Sequence, residues 1–213
     1  MVQARGPVRL AGSELGGTRH ICAFFHSRDE EYRVLLPFAK EGFQRGEKVF
    51  HIVDAGHREE RLRRLEQAGI NVAGASPAGQ VEVRAWEDAH LREGCFKQES
   101  MLSLIEEILS SGKADGFHLT RFWANMEWAL EGCPGVKDIV EYESRLNYIL
   151  PKYDDVVVCT YDLARFSASI VVDILRTHPM VIIGGILQEN PFYVPPDEFL
   201  QELRERGRQR ATA

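Results

Sequence analysis

The regular alternation of strand-like and helix-like segments constrains the fold of this chain more than any other feature. Residues 20–25 and 48–54 are apolar and rich in β-branched or aromatic side chains, as buried strands are. Between them, Ser27 and Glu30 form a capping box, which predicts a helix that begins directly after the first strand. The alternation continues with strands predicted at 81–86, 116–121 and 155–162, and helices at 57–69, 98–112, 135–151 and 167–179.

This order of elements predicts an α/β fold built on one mainly parallel sheet. Strands that alternate with helices form right-handed βαβ units, so we expect helices on both faces of the sheet, in three layers. Gly184-Gly185 lies between two apolar segments and predicts a two-residue hairpin. That C-terminal hairpin is expected to add antiparallel strands at one edge of the sheet.

We predict a single domain over residues 19–200, because its strands and helices follow one another without a linker. Residues 1–18 show no periodicity and are predicted to be a flexible N-terminal arm. Residues 201–213 are predicted to form a C-terminal helix or tail in which arginines alternate with polar residues. A solvated helix is the preferred interpretation of this tail, and contact with a partner or a nucleic acid is the alternative.

Composition excludes several classes of function. The formal net charge of -6 argues against direct nucleic-acid binding, which needs clustered lysine and arginine. No apolar segment approaches the length of a membrane span, and the first residues lack the apolar core of a signal peptide. The four cysteines are scattered without a CxxC pair. We therefore expect a cytoplasmic protein with reduced thiols and no membrane partner.

Candidate ligand-binding residues follow the predicted strands. Ligands of open parallel sheets bind beyond the carboxyl ends of the strands, and aromatic walls with a few polar groups are typical of small-molecule sites. We expect Arg121 and His26 to anchor a ligand. Taken singly, Asp54 also fits a helix cap, and Trp128 with Met126 fits a packed core. The predicted set is His26, Ser27, Asp54, Trp86, Arg121, Trp123, Met126, Trp128, Tyr161 and Asp162.

Other chemistries have weaker support in the sequence. No glycine-rich phosphate loop separates the first strand from the first helix, which argues against ATP hydrolysis. A metal site made of His20, Cys22 and Cys159 is conceivable, but the spacings of dedicated sites are missing. Cys159 with His178 as a catalytic pair is less favoured than a buried thiol. We predict no catalytic residue, no metal and no cofactor.

Several phrases of the sequence together resemble the MEDS domain family, the methanogen/methylotroph, DcmR sensory domain. Segment 46–72 is also similar to the second strand and helix of KaiC-like members of the RecA-like ATPases. The phrases that carry the MEDS resemblance are His20-Ile21, residues 92–96, MEWAL at 126–130, EYE and LN within 141–147, CTYD at 159–162, LRTHP at 175–179 and NPFY at 190–193.

The resemblance implies a prokaryotic signal-transduction module with a RecA-like core that lacks the phosphate loop. Members of the family are proposed to sense small molecules such as simple hydrocarbon derivatives, and are often joined to DNA-binding or kinase output domains. No output domain is visible in this chain. Either the sensor acts through a regulatory protein partner, such as a kinase, an anti-sigma system or a DNA-binding protein, or the sequence is part of a longer chain. A degenerate nucleotide-binding protein and a pure interaction or dimerisation adaptor are the alternatives.

Overall fold

The computed structural model describes residues 6–72, 79–89, 96–130 and 139–212, with side chains up to residue 209. Residues 92–95, Cys133 and the start of the helix predicted at 135–151 lie outside the described residues. The strands are β1 Arg9–Leu10, β2 Ser13–Glu14, β3 His20–Phe25, β4 Lys48–Val53, β5 Val81–Ala85, β6 Thr120–Asn125, β7 Val156–Asp162, β8 Met180–Ile183 and β9 Ile186–Glu189. The α-helices are α1 Arg28–Gln44, α2 Arg58–Gln67, α3 Gln98–Ala114, α4 Ile139–Leu146, α5 Ala168–Thr177 and α6 Pro196–Thr212.

The central sheet has seven strands in the order β5-β4-β6-β7-β3-β8-β9. All neighbouring pairs are parallel except β8 with β9, which are antiparallel. Gly184 and Gly185 have φ of 60° and 74°, the left-handed conformation that a two-residue hairpin turn requires. The predicted α/β architecture, a mainly parallel sheet with a C-terminal antiparallel hairpin, is therefore confirmed.

Helices cover both faces of this sheet. Helices α1 and α2 pack on one face, against apolar side chains that include Ile21, Val49 and Val158. Helices α3 to α6 contribute to a single core on the other face, together with Cys22 and Cys159. The alternation of side chains along β3 and β7 decides which residues meet which layer of helices.

The prediction of a flexible N-terminal arm is wrong for residues 6–18. Strands β1 and β2 pair antiparallel in a short hairpin beside α1. Val8, Leu10 and Leu15 are buried in the core under α1, because they are the apolar residues of an otherwise polar segment. Three side chains without periodicity are enough to fix the hairpin, which explains why the sequence pattern did not reveal it.

The C-terminal helix α6 begins at Pro196 and docks against α5. Phe199 is fully buried, and the Arg176 guanidinium lies 4.5 Å from its ring centre. Arg206 forms ion pairs with Asp173 and Glu202, so this arginine of the tail is engaged within the chain. Within the part of the chain that the structure describes, no helix combines the length and apolar character that a membrane crossing requires.

Candidate functional site

The carboxyl edge of the sheet is the edge at which the ten candidate residues were expected to meet. Only Ser27, Tyr161 and Asp162 of that set line a common cleft there, together with Glu31 and Glu127. The free volume of this cleft is about 10 Å³, room for a single water molecule. A small organic molecule does not fit in the space that these residues leave.

Glu31 lies in the first turn of α1 and lines this cleft. Its Oε1 accepts hydrogen bonds from Trp123 Nε1 at 2.7 Å and Asn125 Nδ2 at 2.8 Å. Arg61 Nη2 donates to the same oxygen at 3.1 Å, and its guanidinium lies 3.5 Å from the centre of the Trp123 ring. The positive end of a helix attracts negative charge. Here a carboxylate of the chain itself supplies that charge.

Glu127 is a second buried acid at the carboxyl edge. Its Oε1 accepts a hydrogen bond from the backbone N–H of Asp162 at 3.1 Å. Burial, with the neighbouring charge of Glu31 as a further cause, raises the pKa of Glu127 to about 7. The carboxyl group therefore changes its protonation near neutral pH, in a cleft too small for a substrate.

The predicted position of Arg121 is wrong. The sequence placed it at the carboxyl end of a strand, but β6 begins at Thr120, so Arg121 lies at the opposite end. Its side chain is completely buried and forms ion pairs with Glu47 at 2.5 Å and Glu41 at 2.9 Å. Gly42 of α1 lies so close that an added Cβ would come within 2.5 Å of Arg121 Cδ. Arg121 therefore links α1 to the sheet and does not face a ligand cavity.

The three tryptophans do not form one wall, which corrects a further prediction. Trp123 points to the α1 and α2 face of the sheet, where it contacts Glu31. Trp86, Met126 and Trp128 are buried in the core of the other face, with Trp128 stacked on Phe96. Aromatic residues near strand ends are thus divided between two cores. Trp128 and Met126 pack in a core, which is the alternative that the sequence analysis gave for these two residues.

The remaining candidates have local structural roles. Asp54 Oδ1 accepts a hydrogen bond from Gly56 N at 2.7 Å and so caps a short 3-10 helix. The backbone N–H of His26, an exposed residue, donates to Glu30. Tyr161 is buried and donates its hydroxyl to Glu143 Oε1 at 3.0 Å. Tyr161 therefore belongs to a different set of polar groups, below the surface of the sheet.

The amino edge of the sheet carries a larger cavity. Its volume is about 390 Å³, within the range of roughly 300–1,000 Å³ that is usual for small-molecule sites. The lining combines polar side chains with apolar and aromatic ones. These residues include Arg19, His20, Asn147, Leu150, Tyr153 and Tyr193.

A buried group of four potential metal ligands lies behind the wall of this cavity. His20, Glu143, Cys159 and His178 each offer one ligand atom, and the four atoms lie within 4.8 Å of one another. Glu143 Oε2 is 3.3 Å from Nε2 of His20 and 3.3 Å from Nε2 of His178. Cys159 Sγ lies 3.7 Å from the same oxygen. We call these four residues the His-Cys-Glu cluster.

Electrostatics within the cluster are strongly coupled. Burial alone would raise the pKa of Glu143, but its interactions with His178 and His20 lower that pKa well below the ordinary value. Burial, with the charge of His178, lowers the pKa of His20. Burial and the Glu143 carboxylate raise the pKa of the Cys159 thiol. The pKa values of Glu143, His20 and Cys159 are therefore coupled, because these groups lie close together and are withdrawn from water.

Sequence reasoning found half of this cluster. It paired His20 with Cys159 as a conceivable metal site, because a strand places alternate residues on one face, but it added Cys22. Glu143, which comes from α4, was missed. His178, the residue after α5, was considered only as a catalytic partner of Cys159 and not as a metal ligand. A signal was present: the phrases EYE and LRTHP, which carried the family resemblance, contain these two residues.

Comparison with known proteins gives the family. The family model of the MEthanogen/methylotroph, DcmR Sensory domain (MEDS) matches residues 19–179. A curated relative, the transcriptional repressor DcmR of Methylorubrum extorquens, is 24% identical over 178 residues. The match covers 83% of this chain and 64% of the repressor, so the chain spans less than two thirds of that relative.

A solved structure with a related shape is the KaiC-like protein PH0186 from Pyrococcus horikoshii. It is 15% identical, with a TM-score of 0.49, over 81% of this chain and 73% of that one. The MEDS match extends from the first residue before β3 to the residue before β8 and includes all four members of the His-Cys-Glu cluster. This chain belongs to the MEDS family of sensory domains.

Proposed function

We propose that this chain is a non-catalytic sensory module that binds a small molecule in the amino-edge cavity and passes the signal to a regulatory partner. The observation that carries the proposal is the volume of that cavity, about 390 Å³, against about 10 Å³ for the cleft that the described residues form at the carboxyl edge. Small-molecule sites need roughly 300 Å³ or more. Membership of a family of sensory domains supports the same function.

The lining of the cavity favours a particular class of ligand. Leu150, Tyr153 and Tyr193 supply apolar surface, whereas Arg19 and Asn147 supply a charge and an amide. A molecule with a few carbon atoms and one polar or anionic group matches this mixture. Simple hydrocarbon derivatives are of this class.

We propose an output in transcription, through a DNA-binding protein, a kinase or an anti-sigma system. The similarity to a transcriptional repressor supports this assignment. A homodimer is a further proposed arrangement for the signalling state. The nucleotide-binding alternative has less support, because the sequence between β3 and α1 has no glycine-rich segment to hold a phosphate.

Ligand-observed NMR with alcohols, amines and carboxylates of one to three carbons tests the binding. Thr18 is an exposed residue of the cavity lining, so Thr18→Trp is expected to fill the entrance and abolish saturation transfer to the probe. Ser169→Trp adds the same ring at an exposed site on α5 and is expected to retain the signal. Equal signals from both variants would contradict binding in this cavity.

Catalysis and nucleotide binding are tested in the same samples. We expect each bound probe to keep its NMR spectrum unchanged after prolonged incubation with the protein. We also expect no saturable binding of ATP with Mg²⁺. Conversion of a probe would make the chain an enzyme, and tight ATP binding would favour the degenerate nucleotide-binding alternative.

A further inference from the structure

We propose that His20, Glu143, Cys159 and His178 form a binding site for a divalent transition-metal ion of the zinc type. This inference goes beyond the proposed sensory function, because it depends on the His-Cys-Glu cluster and not on the cavity. It also departs from the sequence-based prediction that the chain holds no metal.

The distances from Glu143 Oε2 to the other three ligand atoms match a tetrahedral ion, and the wider pairs, which lie within 4.8 Å, would shorten by up to about 1 Å when the ion binds. Zinc lies about 2.0–2.1 Å from histidine nitrogen, about 2.0–2.2 Å from carboxylate oxygen and about 2.3 Å from cysteine sulfur. The edges of a tetrahedron are about 1.6 times its centre-to-corner distance, so ligand atoms should lie roughly 3.3–3.8 Å apart. The three distances that join Glu143 Oε2 to the other ligand atoms are 3.3, 3.3 and 3.7 Å. Cys159 Sγ and His20 Nε2 are 4.0 Å apart.

Hydrogen bonds fix the tautomer of His20 in the form that a metal needs. Asn147 Nδ2 donates to the backbone carbonyls of Glu143, Ser144 and Thr177, at 2.8–3.3 Å. The amide oxygen of Asn147 must therefore be the atom that faces His20 Nδ1, at 3.0 Å. An amide oxygen only accepts, so Nδ1 carries the proton. In the neutral ring, Nε2 then directs its lone pair at the cluster.

His178 is held in the same tautomer by the backbone. Its Nδ1 lies 3.0 Å from the carbonyl oxygen of Ile174 and 2.8 Å from Thr177 Oγ1. The Thr177 hydroxyl donates its proton to the same carbonyl, at 2.8 Å, so Nδ1 faces two acceptors and carries a proton. Nε2 of the fully buried ring has no hydrogen-bond partner within the described residues, although it faces Glu143 Oε2. Metal-binding histidines are oriented in this way by a carbonyl or carboxylate on the second nitrogen.

The Glu143 carboxylate is oriented so that one of its oxygens, Oε2, faces the other ligand atoms. Tyr161 donates its hydroxyl to Glu143 Oε1 at 3.0 Å, which leaves Oε2 to face both histidines and Cys159. Two imidazole lone pairs and a carboxylate oxygen thus converge within a space closed to water. Buried polar atoms in such an arrangement need a shared cation or proton to be stable.

The types of ligand select the class of ion. Two imidazoles, a thiolate and a carboxylate are nitrogen, sulfur and oxygen ligands, which suit zinc and neighbouring transition metals. Magnesium and calcium prefer oxygen alone and a larger coordination number. With four protein ligands the site would be closed, as structural zinc sites are.

Cobalt(II) titration of the full chain, after its metals have been removed with a chelator, tests the proposal. We expect one equivalent of Co²⁺ to give the absorption bands of a tetrahedral ion and a thiolate-to-cobalt charge-transfer band, and Zn²⁺ to displace it. A background of Cys95→Ser with Cys133→Ser leaves Cys22 and Cys159 as the only thiols. Absence of saturable Co²⁺ binding would overturn the proposal.

Two matched variants identify the thiolate. Cys22 pairs with Cys159 in the β3–β7 register and is equally buried, but it is outside the cluster. Cys159→Ser is expected to lose the charge-transfer band and to weaken Co²⁺ binding by at least about 100-fold, while Cys22→Ser retains both. The reverse result would overturn the assignment.

X-ray absorption of the zinc-loaded wild-type chain tests the site without any substitution. We expect one sulfur neighbour at about 2.3 Å and three nitrogen or oxygen neighbours at about 2.0–2.2 Å. Two or more sulfur neighbours, or none, would contradict the ligand set. Failure of this test would leave binding of organic probes in the cavity unaffected, so the two proposals can be separated.

Discussion

The buried polar groups at the two edges of the sheet differ in their hydrogen-bond partners. At the carboxyl edge, Glu31 Oε1 accepts hydrogen bonds from Trp123, Asn125 and Arg61, so a charge and its partners fill the space. At the amino edge, His20 and His178 both direct an acceptor nitrogen towards one carboxylate oxygen. Parallel sheets usually bind ligands at the carboxyl edge. In this chain, the cleft that the described residues form at that edge is filled by their own side chains.

The difference shows how a buried polar cluster can be interpreted. Buried donors and acceptors that hydrogen-bond to one another are satisfied and stabilise the fold. Such a network does not need a ligand. Two imidazole nitrogens and a carboxylate oxygen that all accept do not satisfy one another, and the Cys159 thiol beside them is only a weak donor, 3.7 Å from Glu143 Oε2. The carboxyl edge is therefore expected to determine stability, and the amino edge to determine binding.

The largest effect is expected from Glu31→Ala at the carboxyl edge. Removal of this carboxylate leaves the buried Arg61 cation without its partner, which should lower the free energy of unfolding by about 3–5 kcal/mol. Asp29→Ala is the matched control, since exposed Asp29 also pairs with an arginine of α2, Arg64. It should cost about 1 kcal/mol or less in urea denaturation. Similar losses for both variants would refute a structural role specific to Glu31.

Gly42→Ala tests the position of Arg121, which the sequence had assigned to the carboxyl edge. The added methyl group would overlap the buried Arg121 side chain, so we expect a loss of about 2 kcal/mol in the free energy of unfolding. Gly207→Ala in α6 meets no atom within 4 Å and should instead stabilise the helix by about 0.5–1 kcal/mol. Thermal denaturation of both variants measures the contrast. A stabilised Gly42→Ala protein would show that Arg121 is not packed there.

Asn147→Leu tests whether Asn147 orients His20 for metal binding at the amino edge. Loss of the amide oxygen frees His20 Nδ1, so Co²⁺ affinity is expected to fall about 10–100-fold. A purely structural role would lower the melting temperature of the metal-free chain and leave the affinity of its folded fraction unchanged. The measurement is therefore a cobalt titration at a temperature where the variant is folded.

The smallest effect is a pH dependence at the carboxyl edge. The pKa of Glu127 in the folded chain is about 7, above the ordinary value of 4.5. Between these values the folded state binds more protons than the unfolded state, so the free energy of unfolding should fall as pH rises from about 4.5 to 7. Glu127→Gln keeps the acceptor for the backbone N–H of Asp162. In urea denaturation at several pH values, this variant should make the decrease in the free energy of unfolding between pH 4.5 and 7 smaller by about 1–2 kcal/mol. An unchanged slope would contradict the raised pKa.

Local patterns in the sequence predicted most of the fold. The segments at 20–25, 48–54 and 155–162 match β3, β4 and β7 to within a residue, because their apolar runs end at clear turn and cap signals. The strand predicted at 116–121 begins only at Thr120 in the structure. Phe117 and Leu119 are as apolar as the strand itself, so periodicity alone could not place its start. That shift of four residues moved Arg121 to the wrong edge.

The candidate site was less predictable, since it depends on contacts between distant elements. The positions of Trp86 and Trp128 near strand ends are visible in the sequence, but the layer of helices that each ring meets is not. Glu143 lies on α4, and its approach to His20 depends on how that helix crosses the sheet. Sequence reasoning therefore paired Cys159 with His20 and, separately, with His178, but it missed Glu143, which lies between them in the structure.

The His-Cys-Glu cluster also has a consequence for the order of events during folding. His20 and Cys159 are 139 residues apart, and they meet only when β3 has inserted beside β7. Contacts of this separation require the closure of a long loop and form late. A chain emerging from the ribosome has no complete ligand set until His178 has been made. Metal binding would therefore follow the assembly of the sheet, and would link β3 to residues in the last third of the chain.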